Sequence, residues 1–178
     1  NRQYLTLDEL KKLAKTPCNN PLLKRVALFS ALTGLRHSDI KKLTWGEVQG
    51  SDSRGIQLKF RQKKTKGAEE MPISEEAVQL MGERQGKDDK VFPGLTYSAY
   101  ENKHLYQWIG LAGIEKDITF HCFRHTYAVL QLEHGADLYT VSKMLGHRDL
   151  KTTQIYAKIV DKTKQEAANR IKLNIDLS

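Results

Sequence analysis

Apolar side chains recur at three- and four-residue intervals along most of the chain and at every second residue in one place. This pattern predicts a mainly helical domain with one small antiparallel sheet, an α+β fold. Leu7, Leu10 and Leu13 form the first helical stripe. It opens on Thr6 and Glu9, whose hydroxyl and carboxylate can each satisfy an amide that a helix start leaves open, and it must end before Pro17. Asn20 and Pro21 are an N-cap and first-turn pair for a second helix. That helix turns Leu22, Val26, Phe29 and Leu32 inward and stops at Gly34, which reads as the end of the central core helix. Ser38 then caps a short helix with Asp39 in its first turn and Ile40 and Leu43 on its apolar face. From residue 55 the period becomes two: Ile56, Leu58 and Phe60 share one face of a strand. The polar run 63–68 is a turn, and EEMPIS returns as the second strand of a hairpin, with Pro72 placing that strand at an edge.

Ser74 caps the next helix, with Glu75 and Glu76 in its first turn and Val78, Leu80 and Met81 behind. Residues 82–90 read as loop, and Val91, Phe92 and Pro93 as a short extended piece. Ser98 and Glu101 are a second capping-box pair, ahead of a helix with Leu105, Trp108, Ile109 and Leu111 that ends at Gly113. A further helix starts near His121, breaks at Gly135, and is followed by a short one ending in Leu145, Gly146 and His147. Beyond Tyr156, Asp161 predicts the start of a last amphipathic helix with Ala167, Ala168, Ile171 and Leu173 as its weak apolar side. No internal repeat or low-complexity segment occurs.

The 178 residues suit one domain, or one lobe of a larger protein, and 39% hydrophobic residues suffice for a core. The net charge of +8 points to an anionic partner, nucleic acid before membrane, although a well-solvated basic surface would give the same balance. Two cysteines, Cys18 and Cys122, make no disulfide framework and predict a reducing compartment. No run of about 18 apolar residues predicts a membrane span. The chain opens without a start methionine and leads straight into helix signals, which reads as the edge of a larger protein.

Candidate chemistry concentrates in 121–156. His121 and Arg124 stand three apart, on one face of a helix start whose open amides and dipole favour an anion. An arginine fork takes two phosphate oxygens at once. Ordinary surface charge is the competing reading. Arg36 is held between a helix end and the next cap, a joint that a buried structural arginine would also suit. Asp39 can orient such a group or serve as first-turn charge. Lys64 at the hairpin tip can enter a groove and protonate a leaving alkoxide; Lys63 and Lys66 compete with it. His147, after a helix-ending glycine, can donate to a phosphate oxygen or cap the helix. Tyr156 could be a nucleophile, but a phenol with a pKa near 10 needs cationic neighbours to attack at neutral pH; a packing tyrosine is the alternative. His121 and His125 have a zinc-compatible spacing, but Cys122 stands where a metalloprotease helix carries glutamate, and His134 is the only other nearby histidine. Walker A and dinucleotide-binding glycine patterns are absent from the sequence.

Taken in order, Arg36, Lys64, His121, Arg124, His147 and Tyr156 resemble the site of the tyrosine recombinase (phage integrase) family, catalytic domain. The matching text is ALTGLRHSDIKKLTW, HCFRHTYA and LGHRDLKTTQIYAKI, with QKKTKG matching the family's hairpin lysine more loosely. The resemblance covers essentially residues 1–178 and implies that family's fold. It implies a site-specific recombinase or integrase, of a mobile genetic element, that cuts DNA through a 3′-phosphotyrosyl link at Tyr156 and releases a 5′-hydroxyl. Arg36 and Arg124 would neutralise the non-bridging oxygens and Lys64 would protonate the leaving oxygen. His121 would assist proton transfer from Tyr156, and His147 would hold a phosphate oxygen. No metal ion, ATP or other cofactor is implied.

The implied partner is double-stranded DNA. The implied state is a monomer when free and a homo-tetramer on DNA joined through the last helix, in the bacterial cytoplasm and away from membranes. Asp39 stands where many members carry glutamate. The N-terminal DNA-clamping domain usual in the family has no counterpart in this sequence, so weak binding is expected. A type IB topoisomerase-like nicking-closing enzyme and a catalytically silent DNA-binding module are the alternatives.

Overall fold

Helix α2 (Pro21–Thr33) is the spine of the molecule. Asn20 Oδ1 accepts from Leu23 N, Pro21 occupies the first turn, and Gly34 closes the helix in the left-handed region at φ 75°. Val26, Ala27 and Phe29 are fully buried along it. The computed structural model describes residues 2–51, 55–61, 64, 68–147 and 149–176. Helix α1 (Leu7–Lys15) starts on the reciprocal Thr6–Glu9 pair and buries Leu10 and Leu13, while Leu7 stays largely exposed. Beyond it lie α3 (His37–Lys42), a 3-10 turn at Trp45–Glu47, strands β1 (Val48–Ser51), β2 (Gly55–Arg61) and β3 (Ala68–Pro72), and helices α4 (Glu75–Met81), α5 (Ala99–Leu111), α6 (His121–Glu133), α7 (Leu138–Met144) and α8 (Leu150–Asn169).

The sheet is antiparallel in the order β1-β2-β3. Leu58 pairs with Met71, and with Phe60 they form its buried face. β3 is an edge strand, consistent with Pro72. Strand β1 was not expected: its only strongly apolar residue is Val48, and it is held by pairing with β2 rather than by a pattern of its own. Three other expectations change. Helix α3 begins at His37 with Arg36 at the cap and no side-chain cap bond, so Ser38 lies inside it. Glu101 accepts from Thr96 N and Oγ1 instead of closing a box with Ser98. The helix expected from Asp161 is the second half of α8, which runs unbroken through Tyr156; Ile171 and Leu173 lie past its end, exposed.

Most of the core lies around α2, α5 and the sheet. Trp108 of α5 stacks on Phe123 of α6 with centroids 6.0 Å apart, and its indole N–H donates to the carbonyls of Leu13 and Thr16. A smaller cluster of Tyr127, Val129, Val141, Leu145, Tyr156 and Val160 joins α6, α7 and α8. Gly34 faces this cluster. A Cβ there would meet Tyr127 Cδ2 at 2.6 Å, in a left-handed backbone. Gly34→Ala is therefore expected to destabilise the fold by about 2–4 kcal/mol, combining left-handed strain and overpacking, read as a lower urea midpoint at unchanged slope. Among the described residues, no helix is long and apolar enough to cross a membrane.

Candidate active site

Arg124, in the first turns of α6, is only 4% exposed. Its Nη1 donates to the carbonyl of Gly34 at 2.5 Å and its Nη2 to the carbonyl of Leu145 at 2.9 Å. Both acceptors lie at helix ends, where the helix's own amides do not reach the last carbonyls. One guanidinium thus clamps the end of α2 to the end of α7. Burial, followed by the charge of Arg36, lowers its pKa to about 10, so it stays cationic at neutral pH.

Arg36 sits two residues beyond Gly34, at the cap of α3, with Nη1 3.9 Å from Oδ2 of the buried Asp39. The far end of α3 is tied to the sheet: Lys42 Nζ donates to the Arg61 carbonyl and lies 5.5 Å from the centre of the Phe60 ring. Lys64 follows in the exposed turn after β2, and its charge acts on His121. Lys63 and Lys66, the competing hairpin lysines, lie outside the described residues.

His121 opens α6, its ring edge-on to His125 at 4.7 Å. Desolvation, then the charges of Arg124, Arg36, Arg2 and Lys64, lowers its pKa to about 4. His147 follows Gly146, which turns the chain at φ 69°. Its Nδ1 is 2.6 Å from Oγ1 of the fully buried Thr153, and its Nε2 is 3.5 Å from Arg124 Nη2. Desolvation and the charges of Arg124, Arg36 and Arg2 lower its pKa to about 4 as well.

Tyr156 is 2% exposed. Its hydroxyl lies 2.6 Å from His125 Nδ1 and 3.1 Å from Arg2 Nη1, and the Arg2 guanidinium carbon is 5.6 Å from the ring centre. An arginine can only donate, so the phenol oxygen accepts from Arg2. Its O–H donates to His125 in the tautomer whose Nδ1 carries no proton. This requires a neutral imidazole. Burial first, then His121, Arg2 and Arg124, lowers the His125 pKa to about 4 and keeps it neutral.

Arg36, Arg124, His121 and His147 thus act on one another electrostatically around a single locus, with Lys64 acting on His121. Tyr156 is close enough for its ionised form to act on Arg124, and its hydroxyl is bonded to His125 and Arg2. His125, Arg2 and Thr153 were not singled out in the sequence for these contacts. His125 carried a signal only as the second histidine of a zinc spacing. Among the described residues, no three His, Cys, Asp or Glu side chains gather as a metal-binding group, and His134 Nδ1 is instead paired with the Leu130 carbonyl at 2.8 Å.

The three depressed histidines make stability depend on pH. Each binds its proton more readily unfolded, near 6.5, than folded, near 4. Their stabilising contribution is complete above about pH 6.5 and is lost as pH falls toward 4, because unfolding takes up protons in that window. The urea midpoint is expected to fall steadily from pH 7 to pH 5; a flat midpoint would contradict these depressed values.

A sequence model of the phage integrase family matches residues 3–163. The chain is 34% identical to the tyrosine recombinase XerD of Listeria innocua serovar 6a, over 88% of its own length and 58% of that protein's. It is 30% identical to the tyrosine recombinase XerC of Xanthomonas axonopodis pv. citri, over 86% of its own length and 53% of that protein's. The chain therefore spans a little over half the length of these relatives. In fold it is similar to the XerA recombinase, with a TM-score of 0.72 at 24% identity over 94% of this chain and 62% of that one. It is similar also to the catalytic domain of bacteriophage HP1 integrase, with a TM-score of 0.68 at 22% identity over 95% of both chains.

Proposed function

Because this chain belongs to the phage integrase family, we propose that it cuts and rejoins double-stranded DNA at a defined site, as the catalytic domain of a site-specific recombinase. One observation carries the reading: the buried Arg124 guanidinium, held by two helix-end carbonyls, stands among Arg36, His121 and His147 within electrostatic reach of the Tyr156 phenol. Fixed cationic groups of this kind stabilise charge that builds on a phosphoryl group in the transition state.

In this mechanism Tyr156 Oη attacks the scissile phosphorus. The P–O bond to the 5′ oxygen breaks, and a 3′-phosphotyrosyl ester forms. Arg36 and Arg124 hold the two non-bridging oxygens, and His147 donates to one of them. Lys64 gives a proton to the departing 5′ oxygen, and the phenol proton passes to the neutral imidazole of His125, 2.6 Å away, with His121 assisting. Attack by a 5′-hydroxyl of the partner strand reverses the step and regenerates the phenol. The ester retains the energy of the broken bond, so the cycle needs no ATP. The side-chain cations supply the charge that a divalent metal would bring.

The partner is DNA. We assign assembly on it to a homo-tetramer in which the exposed Ile171, Leu173 and Ile175, just past α8, contact a neighbouring copy; the free chain is a monomer. We propose no particular genetic setting. The test is to incubate the protein with nicked duplexes of randomised sequence, isolate denaturant-resistant complexes and map the attached residue by mass spectrometry. Attachment at Tyr156 to an enriched sequence is the expected result. Sequence-neutral attachment with relaxation of supercoiled DNA would point to a topoisomerase, and DNA binding without any attachment to a silent module.

A further inference from the structure

The hydroxyl of Tyr156 is occupied on both sides, and neither partner comes from α8. His125 Nδ1 lies 2.6 Å from it, and Arg2 Nη1 donates to it from residue 2 of the chain at 3.1 Å. We propose that Arg2 is a positioning residue: a latch that keeps the Tyr156 hydroxyl turned onto His125 until a DNA phosphate draws its guanidinium away. The inference rests on the recombinase reading for its purpose, but the contacts stand without it.

Three features make Arg2 suited to this. First, it is anchored close by but not itself buried. Leu5 is fully buried, its N–H donates to Thr126 Oγ1 at 2.9 Å, and the Tyr4 carbonyl accepts from Lys116 Nζ at 3.0 Å. Thr126 is the residue after His125, so the strand of chain bearing Arg2 is pinned to the very turn that holds the phenol. Arg2 itself is exposed. Second, it has room to leave, because it borders an open groove of about 680 Å³ lined also by Tyr4, Lys116, Ile155, Ile159 and Lys162. Third, its present acceptor is a weak one. A neutral phenol oxygen offers the guanidinium a single uncharged acceptor, whereas a phosphate offers an anion that it can grip through two parallel N–H···O bonds. An approaching DNA backbone therefore competes for Arg2 favourably. Loss of Arg2 leaves the hydroxyl with one partner instead of two and opens the side of the ring that the guanidinium covers.

The test reads the phenol without DNA. Wild type, Arg2→Ala and Arg2→Lys are nitrated with tetranitromethane, and modification is measured peptide by peptide. Tyr127, also 2% exposed and in the same small cluster, reports loosening of the fold. Nitration of Tyr156 is expected to rise about fivefold in Arg2→Ala, the equivalent of one hydrogen bond of about 1 kcal/mol, with Tyr127 unchanged and Arg2→Lys in between. Inorganic phosphate, compared with sodium chloride at equal ionic strength, should raise Tyr156 nitration in wild type and leave Arg2→Ala where it is. Equal nitration of Tyr156 in wild type and Arg2→Ala, or a rise shared by Tyr127, overturns the latch. Phosphate and chloride acting alike overturns its trigger. A protein that attaches to no DNA would defeat the recombinase reading while leaving these results in place.

Discussion

Arg124→Ala is expected to lose both chemistry and stability, and its loss of stability to be the largest of any single substitution in the site. The guanidinium is buried and donates to the carbonyls of Gly34 and Leu145. Truncation removes both of these bonds and leaves a space that a methyl group cannot fill. A buried hydrogen bond to a charged group contributes about 1.5–3 kcal/mol, so the two together account for much of the stability of a domain this size. Attachment to DNA should fall by a further 10²–10³-fold, roughly the penalty for removing one charge-stabilising donor. Arg124→Lys separates the two effects. It restores the charge but cannot bridge two carbonyls in one plane, so it should recover part of the stability and little of the chemistry. Urea melts and single-turnover attachment, measured well below the melting midpoint, check this. Attachment at the wild-type rate in folded Arg124→Ala would refute the role given to Arg124.

Tyr156→Phe is expected to remove covalent attachment entirely while sparing the fold and DNA binding. The ring packs with Tyr127, Val129, Val141 and Leu145 in the small cluster, and phenylalanine keeps that contact. What goes is the hydroxyl, with its bonds to His125 and Arg2. The stability change should be about 1 kcal/mol, since His125 retains its neutral form and solvent can reach Arg2. Denaturing gels and binding isotherms at one stated salt concentration give the comparison. Undiminished attachment in the phenylalanine protein would mean that another nucleophile does the work.

Local signals are legible in the sequence itself. The Thr6–Glu9 pair, Asn20 before Pro21, Ser74, and the left-handed Gly34 are all decided within a few residues, and the structure realises each. Asp161 shows where such signals mislead. It has the chemistry of a cap, but α8 is already propagating when it arrives, and extending a formed helix is easier than nucleating a new one. Strand β1 could not be read because its pairing with β2, and not its own alternation, makes it a strand. The six candidate site residues are legible as an ordered set through their resemblance to a family. Their geometry was not. The Tyr156–His125 bond joins residues 31 apart in sequence and the Tyr156–Arg2 bond residues 154 apart. Nothing local to Tyr156 announces a buried phenol, and nothing near Arg2 announces its partner.

The unbroken course of α8 has a mechanical corollary. Tyr156 sits 13 residues before the helix ends at Asn169, a distance of ~20 Å at the α-helical rise. A displacement of the helix end therefore reaches the Tyr156 ring along a stiff rod, with no break in α8 between them. Only contacts made on α8 itself act in this way, because residues 171–176 are not helical and would absorb a twist.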